Sequence, residues 1–120
     1  MRELRIRPEQ MEALGAVPLE ALRASMCDQL RRHWKPLAER IGEESISFFV
    51  DQAIERCSFY EIDMRRDHFR YLNVMALLGA DFDEELEWTK EILEMRALRG
   101  SARIDRLIEI IKMKIAGGDL

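Results

Sequence analysis

Residues that build metal sites and disulfide frameworks are scarce in this sequence. It contains two cysteines and two histidines among its 120 residues. Cys27 and Cys57 each lie inside a helical pattern, and their wide spacing matches neither a disulfide framework nor a zinc site. We therefore expect both thiols to be reduced and buried as small apolar side chains, and we expect no metal and no cofactor.

The two histidines are also far apart in the sequence. His33 lies beside Trp34 near a predicted helix end, where its imidazole can serve exposed backbone carbonyls. His68 lies in the first turn of another predicted helix and has no histidine or cysteine at helical spacing. The two imidazoles could still meet in space, but neither position by itself indicates a metal site.

Proline, glycine and long apolar runs are scarce as well. Their scarcity favours a helical protein and argues against a membrane-spanning one. Three prolines and six glycines, nearly all at expected helix ends, leave a chain rich in good helix formers. No run approaches the ~20 apolar residues of a membrane span, and the N-terminus lacks the apolar core of a secretory signal. We therefore expect a cytoplasmic protein without a membrane partner. The net charge of -4 argues against general nucleic-acid binding.

Apolar residues at steps of three and four predict an all-α fold, a compact bundle of five or six helices in a single domain over residues 1–120. The hydrophobic fraction of 48% supports a core, and the charged fraction of 35% fits solvated helix faces. The predicted segments are an N-terminal arm at 1–7, helices at about 8–14, 18–34, 44–57, 67–78, 84–97 and 101–116, a short turn at 37–41 and a frayed tail at 117–120.

The segment 67–78 is predicted to lie at the centre of the fold. It begins at an aspartate cap, either Asp67 or the earlier Asp63, and it ends at a glycine. Because it is apolar on most of its circumference, other helices must surround it. The residues expected to be buried are Leu72, Met75 and Leu77.

The last predicted helix, with Ser101 as its cap, carries an apolar stripe and a charged face. The residues expected to face the core are Ile104, Leu107, Ile108, Ile111 and Ile115. Arg103 and Arg106 are expected to face water. With Arg96 and Arg99, which could complement a helix C-terminus, they form a basic cluster that is either a solvated face or a patch for an acidic partner.

The acidic segment 81–87 matches neither a calcium loop nor a catalytic site. A calcium loop needs oxygen ligands at alternate positions, a central glycine and a final bidentate glutamate, but here Leu86 and Trp88 occupy loop positions and no glycine is present. Its carboxylates suit the positive end of a helix dipole. Glu43 and Glu44 could pair as acid and base, but adjacent carboxylates carry almost no specificity. No nucleophile elbow, phosphate-binding glycine loop or His-Glu-x-x-His motif occurs, so we expect no catalytic residues and no enzyme.

Two aromatic residues in this acidic stretch are the main candidates for a protein-binding surface. Phe82 and Trp88 either close the core or stand at a surface rimmed by charge, with Phe82 the more natural core residue and Trp88 the better surface candidate. Phe59 and Tyr60 are further candidate anchors. The predicted protein-binding residues are Phe82, Asp83, Glu84, Trp88, Arg96 and Arg99.

Three stretches carry a family resemblance: Leu-Arg-Ile-Arg-Pro-Glu-Gln-Met at 4–11, Phe-Arg-Tyr-Leu-Asn-Val-Met-Ala-Leu-Leu-Gly-Ala-Asp-Phe-Asp at 69–83, and Ser-Ala-Arg-Ile-Asp-Arg-Leu at 101–107. Together they resemble the small accessory proteins encoded beside spike and effector genes of bacterial type VI secretion systems. The shared motifs are structural, and no catalytic residue carries over. Where that group often has a glycine after the tyrosine, this chain has Glu61 after Tyr60.

The resemblance implies a non-enzymatic adaptor or co-chaperone that holds a secretion effector, its chaperone or the spike tip. Aromatic anchors and a charged rim would provide the binding. An alternative is an immunity protein whose acidic segment blocks a basic toxin cleft. A small regulator that binds nucleic acid is disfavoured by the net charge, and an enzyme has no positive support. The sequence predicts no oligomeric state.

Overall fold

A computed structural model describes residues 18–118 of the chain. This part contains seven α-helices and no strand, which confirms the all-α prediction and corrects the predicted number of five or six helices. The helices are α1 (Leu19–His33), α2 (Lys35–Ile41), α3 (Glu43–Phe59), α4 (Arg65–Leu78), α5 (Phe82–Glu85), α6 (Glu87–Leu93) and α7 (Gly100–Ala116). The predicted arm, the predicted helix at 8–14 and the last two residues of the predicted tail lie outside the described residues.

Proline and glycine mark the ends of the first two helices. Pro18 precedes α1, and Pro36 occupies the first turn of α2, where its missing amide hydrogen is not needed. Trp34 leaves helical geometry between the two helices, at φ -126° and ψ 48°. Gly42 then separates α2 from α3 at a φ of 88°, which glycine adopts without a steric penalty.

The centre of the core is formed by α3 and α4, which pack against each other and against α1. The buried stripe of α3 follows the predicted helical spacing. Its fully enclosed members are Ile46, Val50, Ala53 and Cys57. Cys27 of α1 is also buried, so the prediction of two buried cysteines is confirmed.

The helix α4 begins two residues earlier than predicted and without a side-chain cap. Met64 is its N-cap residue, and neither Asp63 nor Asp67 bonds the free backbone amides there. Asp67 is instead fully buried. This corrects the predicted cap, because the Asp67 carboxylate is used for contacts with other side chains.

Burial along α4 agrees with the prediction at two of three positions. Leu72 and Met75 are buried, whereas Leu77 is 45% exposed and its predicted burial is wrong. The buried stripe also includes Tyr71 and Val74. Leu77 lies beyond the edge of this stripe, at the solvent side of the last turn.

The helix predicted at 84–97 is divided in the structure. Leu86 has extended geometry, with φ -111° and ψ 103°, and it separates α5 from α6. The buried Thr89 hydroxyl shares its one hydrogen between the carbonyl oxygens of Phe82 and Leu86, at 2.9 and 2.6 Å, and so stabilises the break. Beyond Leu93 the chain turns irregularly until α7 begins.

The inner face of α7 packs against α4 and α6. Ile104, Leu107 and Ile111 are buried as predicted, but Ile115 is exposed, contrary to the prediction. Arg103, predicted to face water, is buried and donates to the carbonyl oxygens of Leu93 and Leu98 at 2.7 and 3.1 Å. Arg103 therefore bonds carbonyl groups at the end of α6 and in the turn after it. This role at a helix C-terminus was predicted for Arg96 and Arg99.

Candidate protein-binding surface

Two of the six predicted protein-binding residues lie in the interior, which corrects their assignment. Phe82 is fully buried, and its ring lies 5.1 Å from that of Tyr71, centroid to centroid. Asp83 is buried as well, with its carboxylate accepting hydrogen bonds from Arg56 and from the Tyr60 hydroxyl, the latter at 2.7 Å. Both residues hold α5 against α3 and α4, and neither can contact a partner at the surface.

Burial and the hydrogen bond to Asp83 together determine the protonation state of Tyr60. Burial, followed by the hydrogen bond to Asp83, raises the pKa of Tyr60 well above its usual value. The phenol therefore stays protonated and remains a hydrogen-bond donor. Tyr60 is thus a structural residue, and the prediction that it anchors a partner is corrected by its burial.

Trp88 lies between the two alternatives that the sequence left open. It is partly buried against the core, and the Lys114 ammonium of α7 lies 5.0 Å from its ring centroid. This cation–π contact and the core packing occupy much of the indole. Glu84, predicted beside it in the site, is exposed on α5.

The predicted arginines are at the surface, and one of them is held by aromatic rings. The guanidinium carbon of Arg96 lies 5.6 Å from the ring centroid of Phe59 and 5.7 Å from that of Tyr60. Arg96 also pairs with Glu61 at 3.5 Å. Arg99 is exposed and is the N-cap residue of α7.

The most exposed aromatic side chains lie on one face of α3. Phe48 is 77% exposed and Phe59 is 64% exposed. Their separation in the sequence corresponds to about three helical turns, so both point the same way about 17 Å apart. We call this surface, with the exposed Glu55 between the two rings and with Arg96 beside Phe59, the α3 face.

Sequence reasoning found part of the α3 face and missed the rest. Phe59 was expected as an anchor and Arg96 as a site residue, and the structure brings these two into contact. Phe48 was missed, although a signal was present. It falls outside the apolar stripe that includes Ile46 and Phe49, so a three-residue apolar run around it cannot be wholly inward.

The partly buried His68 directly follows the buried Asp67 on α4. The Nδ1 atom of His68 has no hydrogen-bond partner among the described residues. Burial lowers the pKa of His68, while backbone contact with Ile62 and the carboxylates of Asp63 and Asp67 oppose that shift. Nowhere in residues 18–118 do three or more His, Cys, Asp or Glu side chains group in a way that could hold a metal ion.

Comparisons with known proteins give no match, whether with protein families, curated proteins or solved structures. Within the described part of the chain, no helix has the length and apolar character needed to cross a membrane.

Proposed function

We propose that this protein is a non-enzymatic adaptor or co-chaperone that binds a type VI secretion effector, the effector's chaperone or the spike tip in the cytoplasm. The partner class is the one implied by the sequence resemblance. The observation that carries the proposal is the α3 face, where Phe48 and Phe59 expose most of their rings to solvent. Exposed apolar side chains grouped on one face and rimmed by charge are typical of protein interfaces.

The chemistry of the α3 face suits a partner with apolar pockets and a mixed charged rim. The two rings would enter separate pockets, since they lie three turns apart on α3. Arg96 lies over the ring of Phe59 and offers its remaining donors to a carboxylate of the partner. Glu55 and the Glu61 carboxylate supply negative charge, so the rim would set orientation while the rings supply affinity.

The test has two steps, partner identification and measurement of affinity. The tagged protein is purified from cells that naturally make it, and co-purifying proteins are identified by mass spectrometry. The purified partner is then titrated by calorimetry against the wild type, Phe48→Ala and Phe59→Ala. We expect each substitution to raise the dissociation constant about 30-fold or more.

The matched control removes a similar apolar side chain from another surface. Leu19 of α1 is 61% exposed, so Leu19→Ala should leave both fold and affinity unchanged. If the Phe48→Ala and Phe59→Ala variants bind the partner with the same affinity as the wild type, the α3 face is not the interface. A partner unrelated to secretion effectors, chaperones or spike proteins would overturn the adaptor role.

An immunity role is the second candidate, because the segment 81–87 keeps most of its charge at the surface. Asp81, Glu84, Glu85 and Glu87 are exposed, even though Asp83 is buried. These carboxylates could occupy a basic toxin cleft. Co-expression with the toxin tests this role: rescue of growth that survives Phe59→Ala but is lost in Glu84→Lys/Glu85→Lys would favour immunity over the adaptor.

A further inference from the structure

The outer side of α7 is a second surface, distinct from the α3 face. Six of its residues line a shallow open groove and recur at helical steps of three and one, so they form a single stripe. They are Ala102, Asp105, Arg106, Glu109, Ile110 and Met113. Met113 is 67% exposed, while the inner side of the same helix is buried by α4 and α6. We call these six residues the α7 stripe.

We propose that the α7 stripe binds a second copy of this chain as an antiparallel pair of α7 helices related by a two-fold axis. The six positions of the stripe, though not their residue types, are symmetric about the midpoint between Leu107 and Ile108. A partner that runs antiparallel about that point places Arg106 opposite Glu109 and Met113 opposite Ala102. The two-fold axis makes each contact occur twice.

The charges of the stripe select the antiparallel arrangement. About the proposed axis, each Arg106 meets a Glu109 of the other copy, which gives two pairs of opposite charge. A parallel pair would instead place Arg106 against Arg106 and Glu109 against Glu109, and like charges across an interface disfavour association. Asp105 is already hydrogen-bonded to Arg70 of α4, so its charge is compensated within its own chain.

The side-chain sizes of the stripe fit the same register. Met113 is long and adaptable, and it lies opposite the small side chain of Ala102, which leaves room for it. A large residue facing a small one allows two helix axes to approach within about 8–10 Å. Ile110 adds apolar surface near the axis, where it is only partly buried in the isolated chain.

The expected dimer is weak and reversible. A single pair of helices buries less than the ~800 Å² per partner of a standard stable interface. The two copies should therefore associate only at high protein concentration. Such a dimer is independent of the partner proposed for the α3 face, since the two surfaces lie on different helices.

Sedimentation equilibrium over a wide concentration range tests the proposal by charge reversal. Arg106→Glu and Glu109→Arg should each weaken the dimer about tenfold or more, because each creates two like-charged pairs. The double variant Arg106→Glu/Glu109→Arg restores opposite charges and should return the dissociation constant to within about threefold of wild type. A wild type that stays monomeric, single variants that associate normally, or a double variant without restoration would each overturn the proposal.

The control reverses the same charges elsewhere. Arg40→Glu and Glu39→Arg alter exposed residues of α2 and change the net charge equally, so they should leave the association unchanged. If they weaken it as much as the α7 variants, net charge rather than the α7 stripe governs association, and the proposal fails.

Cysteine cross-linking gives a second, independent measurement should a charge variant fold poorly. On mild oxidation, Ala102→Cys/Met113→Cys should form a covalent dimer, because the two positions face each other in the proposed pair. Met113→Cys alone should remain monomeric, since the two copies of residue 113 would lie about 17 Å apart along the helices. Efficient cross-linking of that single variant would overturn the antiparallel register.

Discussion

The hydroxyl of Ser101 in α7 donates a hydrogen bond to the buried carboxylate of Asp67 in α4. Arg70 donates to the other oxygen of that carboxylate at 2.9 Å and also bonds Asp105 of α7. These contacts join two helices that are separated in the chain by α5, α6 and the turn that follows. Ser101 therefore stabilises the packing of α7 on α4 and makes no side-chain cap for its own helix.

Ser101→Ala and Asp67→Ala should be coupled in their effect on the free energy of unfolding. We expect an interaction energy of about 1–2 kcal/mol in a double-mutant cycle measured by urea denaturation, because the bond is partly buried and charge-assisted. Ser58→Ala, at an exposed position of α3, is the control and should add independently to Asp67→Ala. Additive behaviour of Ser101 would show that its hydroxyl acts only locally.

Two leucines of α4 should differ sharply when shortened to alanine. Leu72 is fully buried, so Leu72→Ala should lower the free energy of unfolding by about 2–5 kcal/mol. Leu77→Ala removes the same atoms from a largely solvated site and should lower it by less than about 1 kcal/mol. Chemical denaturation of both variants checks this. Similar losses at the two positions would contradict the burial described for α4.

Glu61 has a φ of 60°, in the left-handed region that favours glycine. Both Glu61→Gly and Glu61→Ala remove its ion pair with Arg96, but only glycine relieves the backbone strain. We expect the glycine variant to be more stable than the alanine variant by about 1 kcal/mol, with the Tm from calorimetry as the measurement. An alanine variant that is equally stable would show that the turn carries no strain.

His68 should make stability depend on pH below neutrality. Because burial lowers its pKa in the folded state, the unfolded chain binds a proton first as the pH falls. Its contribution to stability is therefore complete above the ordinary histidine value and decreases as the pH drops below about 6.5. The fall in Tm between neutral and mildly acidic pH should be smaller in His68→Gln than in wild type.

The parts of the fold that follow from local pattern could be predicted from the sequence. The stripe through Ile46, Val50 and Cys57 gave α3 its buried face, since helical spacing alone determines which side chains share a face. The mostly apolar circumference of 67–78 placed Leu72 and Met75 correctly in the interior, but it also placed Leu77 there, and Leu77 is exposed.

The parts that depend on distant partners could not be predicted from the sequence. Arg103 has the side chain of a surface residue, and its burial depends on carbonyl groups left free at the end of α6. In the sequence Asp83 resembles the other carboxylates of an acidic helix start, and its burial depends on hydrogen bonds from Arg56 of α3 and from Tyr60, the residue that follows α3. The periodicity of the sequence does not encode such long-range contacts. These contacts determine which of the predicted site residues lie at the surface.

The burial of both cysteines makes the unmodified chain a reporter of its own opening. Cys27 lies in α1 and Cys57 deep in α3, and burial raises the pKa of both thiols, so little reactive thiolate exists in the closed state. A brief pulse of iodoacetamide followed by peptide mass mapping therefore labels only molecules in which one of these helices has moved. The order in which the two sites become labelled under mild denaturant would show whether α1 detaches first or the whole bundle opens at once.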